Sequence, residues 1–248
     1  LNRYKLLIIP PTIMLLSTTW RRLLEYARRG GVIYANLPAE VMCQLLEELF
    51  GIVPGNKYGL RYFIEGVKEL ELKTRLGDLE PGSRLKFPGF PGGLSYLRVE
   101  ELVEAEVAAT IDEEPSLIVK RVGRGASFLL THPIDYYGIK VREFNSISNL
   151  YKLVKAVAAE AGIRLLVDAD NPLVEVGLLE GGGDKIVMLL NHSYAPISTT
   201  ISVLGEYEIR DLEERKLKLR QENGRTVVKL ILKPTEFRIL KARALSDP

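Results

Sequence analysis

The feature that most constrains the fold is a change of hydrophobic period near residue 163. Before it, apolar residues recur mainly every 3 to 4 positions between short apolar runs, a pattern typical of helices alternating with strands. After it, apolar and polar residues alternate, as along Val174–Leu178, which indicates half-buried strands. A chain of 248 residues is long enough for two ordinary domains. The sequence therefore predicts an α/β domain over 1–162 and a small antiparallel β-sandwich over 163–248.

Strand and helix signals alternate at the start of the first half. Tyr4–Ile9 and Val32–Ala35 are short apolar runs that favour buried strands. The segment STTWRRLLEYARRGG predicts a helix that Thr18 or Thr19 caps and two glycines end, and a second helix is predicted from Pro38 to Gly51. This β-α-β-α order predicts an open, mostly parallel sheet flanked by helices, as in class I glutamine amidotransferases.

Glycines mark two predicted hairpins. Leu117–Val122 and Ala126–Leu130 are apolar strands joined at Gly123-Arg124-Gly125. Gly181–Gly183 could suggest a phosphate loop, but a strand follows it, whereas a phosphate loop needs a helix N-terminus to supply amide donors. We therefore expect a tight hairpin there. A further amphipathic helix is predicted over Ser146–Ala161.

Composition and charge exclude several kinds of protein. The net charge is +2 and Lys and Arg are not clustered, so we expect neither a nucleic-acid nor a membrane-surface partner. Cys43 is the only cysteine and His132 and His192 are the only histidines, so we expect no disulfide, no metal site and no cofactor. No apolar run approaches the roughly 18 to 20 residues that span a bilayer.

Two further expectations concern the source and the processing of the chain. The scarcity of glutamine and cysteine is compatible with a thermophile, and we expect a cytoplasmic location. Because the chain begins with Leu1 rather than Met, we expect a fragment or a processed product.

The residues that could act as nucleophile or base favour structural interpretations. Cys43 lies in AEVMCQLLEEL, without the Gly-x-Cys-x-Gly elbow of amidotransferases, so it is interpreted as a packed helix residue. His132 and His192 each follow a predicted strand, and no serine lies in a Gly-x-Ser-x-Gly context to accompany them.

Acidic residues near predicted strand ends are candidates for the carboxylate pair of a glycoside hydrolase, namely Asp135, Asp168, Asp170 and Glu175. The eightfold strand-helix repeat of a catalytic barrel is missing, so a structural role is favoured for them too. The sequence predicts no catalytic residue.

The segment EPGSRLKFPGFPGGLSY carries Phe87, Phe90 and Tyr96 among many prolines and glycines. Aromatic side chains on a long exposed loop suggest a contact, and sugars present apolar faces that stack on aromatic rings. We therefore predict that these three residues, with His132 at the nearby strand end, contact a ligand or a neighbouring subunit.

Three segments resemble the β-galactosidases of glycoside hydrolase family 42 and their relatives. YKLLIIPPTIMLLSTTWRRLLEYARRGGVIYANLP is similar to the start of their trimerisation domain, and VGRGASFLLTHPIDYY to a later strand of that domain. VEVGLLEGGGDKIVMLLNHSYAP resembles the opening of their small C-terminal β-domain. The segments occur in the same order as in the family, while residues 52 to 115 match weakly.

The resemblance implies an amidotransferase-like fold without amidotransferase chemistry. In the family, the catalytic glutamates belong to an N-terminal TIM barrel that this chain does not contain, so no catalytic position is transferred. The leading hypothesis is a non-catalytic accessory region that forms a homo-oligomer, expected to be a trimer, or that accompanies a barrel on the same or a separate chain. The alternatives are a free-standing amidotransferase-like enzyme with a divergent site and a carbohydrate-binding module.

Overall fold

The computed structural model describes residues 1, 3–55, 62–87, 93–134, 148–212 and 217–245, in two compact units, Leu1–Ile163 and Arg164–Pro248. About half of the described residues lie in strands and 13% in helices. The chain is therefore mostly β, and the prediction of an α/β, amidotransferase-like fold with a mostly parallel sheet is wrong.

The first unit contains two α-helices and one π-helix among its described residues: α1 Ser17–Arg28, the π-helix Leu46–Phe50 and α2 Tyr151–Glu160. Its strands are β1 Leu6–Ile9, β2 Val32–Asn36, β3 Ile52–Pro54, β4 Tyr62–Ile64, β5 Lys68–Leu72, β6 Arg84–Phe87, β7 Leu94–Tyr96, β8 Val99–Leu102, β9 Ala105–Ile111, β10 Glu114–Val122 and β11 Gly125–Leu130.

The main sheet of the first unit is mixed. Seven strands lie in the order β1-β2-β11-β10-β9-β5-β6. Only the pairs β1-β2 and β2-β11 are parallel, whereas the other four pairs are antiparallel. Tight turns impose this direction, because Gly123-Arg124 joins β11 to β10 and Asp112-Glu113 joins β10 to β9. Two further strand pairs, β3-β8 and β4-β7, lie outside the sheet.

Helix α1 forms as its spacing predicts and buries Trp20, Leu23, Leu24 and Ala27 against one face of the sheet. Neither Thr18 nor Thr19 caps it, since Leu16 occupies the N-cap position and makes no side-chain capping bond.

The predicted helix from Pro38 to Gly51 is largely absent. Only Leu46–Phe50 is helical, as a π-helix that ends at Gly51, whose φ is 70°. The preceding segment is made of turns around a β-bridge at Met42, whose amide donates to the Ile13 carbonyl over 2.7 Å and whose carbonyl accepts from the Trp20 indole over 3.2 Å. Long-range hydrogen bonds thus override the local helical spacing.

Helix α2 covers the other face of the sheet with Leu153, Ala156 and Val157. It is shorter than the predicted Ser146–Ala161, whose first two residues lie outside the described part of the chain. The first unit therefore has one apolar core on each face of its sheet.

The second unit encloses one core between two four-stranded antiparallel sheets, of order β12-β15-β18-β17 and β13-β14-β19-β16. Gly182 and Gly183, both at positive φ, form the tight turn of the β13-β14 hairpin as predicted. The strands are β12 Val167–Ala169, β13 Val174–Gly181, β14 Asp184–Asn191, β15 Ile197–Leu204, β16 Tyr207–Asp211, β17 Leu219–Glu222, β18 Arg225–Leu232 and β19 Phe237–Ala244.

Candidate functional site

The candidate site lies where two neighbouring parallel strands end. Asn36 at the end of β2 is paired with Leu130 at the end of β11, and Thr131 and His132 follow directly. The Asn36 side-chain amide donates to the His132 carbonyl over 3.0 Å, which fixes the backbone at this point. The carboxyl ends of parallel strands are frequent places for ligand sites in open sheets.

Tyr96 covers the His132 ring. The two rings are stacked, with centroids 4.3 Å apart and planes 11° apart. Tyr96 lies in β7, which pairs with β4, and the Leu97 amide next to it donates to the Thr131 carbonyl over 2.9 Å. Two of the predicted contact residues therefore meet, although both are buried, Tyr96 being 9% and His132 0% exposed.

The groups around His132 bear on which ring nitrogen carries the proton. The Thr131 hydroxyl lies 3.0 Å from Nδ1 of His132, 3.1 Å from the Pro115 carbonyl and 3.3 Å from the Ser116 carbonyl. When the single hydroxyl proton goes to one of these carbonyls, which only accept, the hydroxyl oxygen can accept a proton from Nδ1. We assign this tautomer to His132, and it leaves Nε2 as an unprotonated acceptor.

Nε2 of His132 is buried and has no hydrogen-bond partner among the described residues. Burial lowers the pKa of His132 to about 3, against the opposing effect of the Asp112 carboxylate. The imidazole is therefore neutral near pH 7, and its free lone pair needs a donor.

His132 is among the residues that line a pocket of about 370 Å³. This volume is at the lower end of the range for small-molecule sites. The Lys68 ammonium lies 2.5 Å from the Asp112 carboxylate at its rim. Besides His132 and Tyr96, the pocket is lined by Phe63, Glu65, Lys68, Ile111, Asp112 and Glu114.

The two other buried side-chain atoms that lack a partner within the described part of the chain belong to residues adjoining this site. One is Oδ1 of Asn36, whose amide nitrogen bonds the His132 backbone. The other is Oγ of Ser95, which precedes Tyr96 in β7. Buried polar groups are nearly always paired, so three unpaired ones on adjoining residues distinguish this region from the rest of the described structure.

A larger pocket, of about 910 Å³, lies in the second unit over β15, β17 and β18. Its lining includes Thr200, Lys229 and Ile231, and Ile231 is 66% exposed. None of the buried unpaired polar atoms of the described residues belongs to it. The chemistry of the chain therefore points to the smaller pocket.

The other predicted contact residues are placed differently. Phe87 lies in β6 and is buried in the core, at 3% exposure, rather than on an exposed loop. Phe90 lies outside the described residues, as does Asp135. The rim residues Lys68, Asp112 and Glu114 were not predicted, because they come from three separate strands or turns whose pairing only the fold reveals.

The nucleophile and carboxylate candidates have structural surroundings. Cys43 packs against the core beneath α1, and burial raises the pKa of its thiol to about 11, so the thiol stays protonated near pH 7. Burial opposes ionisation of Asp170, but hydrogen bonds from the Thr200 amide and the Thr199 hydroxyl outweigh it and hold its pKa below the usual value. Asp170 thus anchors the β15 backbone.

A second surface feature is an exposed apolar ledge formed by Ile13, Met14, Leu16 and Met42, whose exposures range from 57 to 73%. A bridge between Met14 and Met42 joins its two segments. The ledge adjoins β1, an edge strand of sequence LLII that has no charged residue. The opposite edge strand, β6, carries Arg84 and Lys86, the kind of charges that discourage edge-to-edge pairing.

No helix in the described part of the chain is long and apolar enough to cross a membrane. Within the same residues, no group of three or more His, Cys, Asp or Glu side chains is arranged to hold a metal ion.

Solved structures share the fold of this chain. The β-galactosidase of Bacillus circulans sp. alkalophilus matches with a TM-score of 0.60 at 17% identity, over 97% of this chain and 33% of its own. Gan42B, a GH42 β-galactosidase from G. stearothermophilus, matches with a TM-score of 0.56 at 17% identity, over 98% of this chain and 32% of its own. α-L-Fucosidase isoenzyme 2 from Paenibacillus thiaminolyticus matches with a TM-score of 0.60 at 12% identity, over 98% of this chain and 41% of its own.

No protein-family model matches the sequence, and comparison with curated proteins gives no significant match. At identities of 12 to 17%, the structural similarity shows the fold alone. The chain spans about a third of the length of the two β-galactosidases and 41% of that of the fucosidase. It therefore has the fold of one region of larger glycoside hydrolases, including GH42 β-galactosidases.

Proposed function

We propose that this chain is a non-catalytic accessory region of a glycoside hydrolase and that it holds copies of the protein together. The observation that carries the proposal is that nearly the whole chain matches only part of each similar enzyme. Enzymes named for two different substrates, a galactoside and a fucoside, contain the same fold. A fold kept across different substrates suits a scaffold better than a substrate-specific catalytic centre.

The apolar ledge supports self-association as the scaffold's role. Four large exposed apolar side chains favour removal from water, and the uncharged strand β1 is an edge strand of the main sheet among the described strands. A second copy of the chain is the proposed occupant, in a contact that closes on three copies.

The test is light scattering of the purified chain over a range of concentrations. We expect a trimer, and we expect Met14→Asp to shift it towards the monomer because a carboxylate would be buried in the contact. The matched control is Ile231→Asp, which places the same charge at a similarly exposed apolar position in the second unit. A wild-type chain that stays monomeric at every concentration, or equal effects of both substitutions, would contradict the proposal.

The non-catalytic part of the proposal needs its own assay. We expect the chain alone to release no chromophore from nitrophenyl β-galactoside or nitrophenyl α-L-fucoside. Turnover that persists through repurification would overturn this part while leaving the oligomer measurement unaffected.

A further inference from the structure

The unpaired nitrogen of His132 is the observation with the most specific chemical meaning. In the tautomer that we assign, Nδ1 donates to the Thr131 hydroxyl, so Nε2 offers a lone pair and no proton. Leaving such an acceptor buried and unpaired costs roughly 1 to 3 kcal/mol. A molecule that enters the pocket with a hydroxyl or amine donor at this point recovers that free energy.

The rim of the pocket also favours donors. Glu65, Asp112 and Glu114 contribute carboxylates, which only accept hydrogen bonds when ionised. A ligand that presents several donors from one rigid frame therefore fits the pocket better than a ligand with one.

The charges around the pocket are nearly balanced. Lys68 pairs with Asp112 over 2.5 Å, and the Arg98 guanidinium, which lies 4.5 Å over the Tyr62 ring, interacts electrostatically with Glu114. The two cations thus offset two of the three carboxylates. Such a field does not select a strongly charged ligand, whereas Phe63, 56% exposed, offers an apolar surface to a ring.

We propose that the His132 pocket binds a hydroxyl-rich ring, a saccharide unit, with one hydroxyl donating to Nε2 of His132 and others donating to the rim carboxylates. The choice of a saccharide among polyols rests on the proposed function. The pocket binds the sugar without reacting with it, so no bond is made or broken.

Imidazole nitrogen NMR on the wild-type chain tests the first half of the proposal. We expect the spectrum to show His132 with its proton on Nδ1. We expect the Nε2 resonance of His132 to shift saturably when methyl β-D-galactopyranoside or methyl α-L-fucopyranoside is added, while that of His192 does not. If neither glycoside shifts the resonance, Nε2 is bonded to water or to nothing, and the proposal is overturned.

Calorimetry with the same glycosides tests the second half. His132→Phe keeps a flat ring against Tyr96 and deletes the acceptor, so we expect affinity to fall about tenfold, the size of one lost hydrogen bond. Glu114→Gln is the second variant, in case the first does not fold, and should also weaken binding. His192→Phe is the matched control and should bind like the wild type.

Two results count against the inference. One is unchanged affinity in His132→Phe and in Glu114→Gln. The other is preferential binding of ethanolamine, which would mean that the pocket selects an amine. If the chain forms trimers but binds no glycoside, this inference is wrong and the proposed function stands. If the chain binds glycosides but stays monomeric, the proposed function is wrong and this inference stands.

Discussion

The two histidines of the chain occupy similar places and have opposite surroundings. Each follows the end of a strand, His132 after β11 and His192 after β14. The His132 ring is buried under Tyr96 with one nitrogen unpaired. The His192 side chain is 52% exposed, and its Nε2 lies 2.7 Å from a Glu175 carboxylate oxygen.

The difference shows what burial does to an imidazole. His192 can exchange its carboxylate contact for water at little cost, because both side chains are largely exposed. His132 cannot, because its side chain is buried and its environment excludes the protonated form. A histidine at such a position lowers the stability of the fold. A ligand that donates a hydrogen bond to it would explain why the sequence has a histidine there.

The largest expected consequence is a dependence of stability on pH. The pKa of His132 is about 3 when folded and near 6.5 when unfolded, so between these values only the unfolded chain binds the proton. Stability from this residue is complete above about pH 6.5 and falls as pH drops towards 3. The slope is about 1.4 kcal/mol per pH unit and the total on the order of 5 kcal/mol.

Urea unfolding of the wild type and of His132→Phe between pH 4 and pH 7 measures this effect. Tyr96 stacks on the ring, and the other titratable groups that line the same pocket are Asp112, Lys68, Glu65 and Glu114. Because they are present in both proteins, their own titration largely cancels in the difference. In His192→Phe the steep dependence should remain. Parallel curves for the wild type and His132→Phe would mean that His132 is solvated.

The sequence predicted local features of this molecule better than distant ones. The period-2 alternation after residue 163 and the glycine turns specify strands and hairpins through neighbouring residues, and β13, β14 and their turn are where they were expected. Helix α1 was predicted for the same reason. These features depend on spacing and backbone freedom, which a sequence displays directly.

What failed depends on pairing between distant segments. The order of β5, β6, β9 and β10 in the main sheet turned a predicted parallel sheet into a mixed one, and a hydrogen bond from Met42 to Ile13 replaced most of a helix. Similarly, the sequence placed Tyr96 and His132 among contact candidates but held no sign that they stack. Tyr96 lies in a strand pair, β4-β7, whose first strand begins at Tyr62, 70 residues before the histidine.

A smaller effect is expected from removing the partner of the protonated nitrogen. Thr131→Val keeps the shape of the side chain and deletes the oxygen that accepts from Nδ1, so both ring nitrogens of His132 become unpaired. We expect the free energy of unfolding at pH 7 to fall by roughly 1 to 3 kcal/mol. Thr131→Ser retains the hydroxyl and should lose less, and equal losses in both variants would attribute the effect to packing.

Replacing His132 itself should have a smaller effect at pH 7, and of opposite sign. Phenylalanine keeps the stacking on Tyr96 and removes a buried unpaired acceptor, so we expect the free energy of unfolding to rise by about 1 kcal/mol, moderated by the slightly larger ring. Thermal unfolding at neutral pH measures it. A clear drop in Tm would show that the histidine already has a satisfied partner in the free protein, and would also weaken the case for a ligand.

The smallest effect is expected at the exposed histidine. His192→Phe breaks the 2.7 Å contact with Glu175, but water replaces it for both groups, so we expect a change within about 0.5 kcal/mol. Glu175→Gln should be equally mild. If either substitution costs several times this amount, the β13-β14 hairpin depends on the ion pair, and the contrast between the two histidines would then lie in the kind of partner each requires rather than in burial alone.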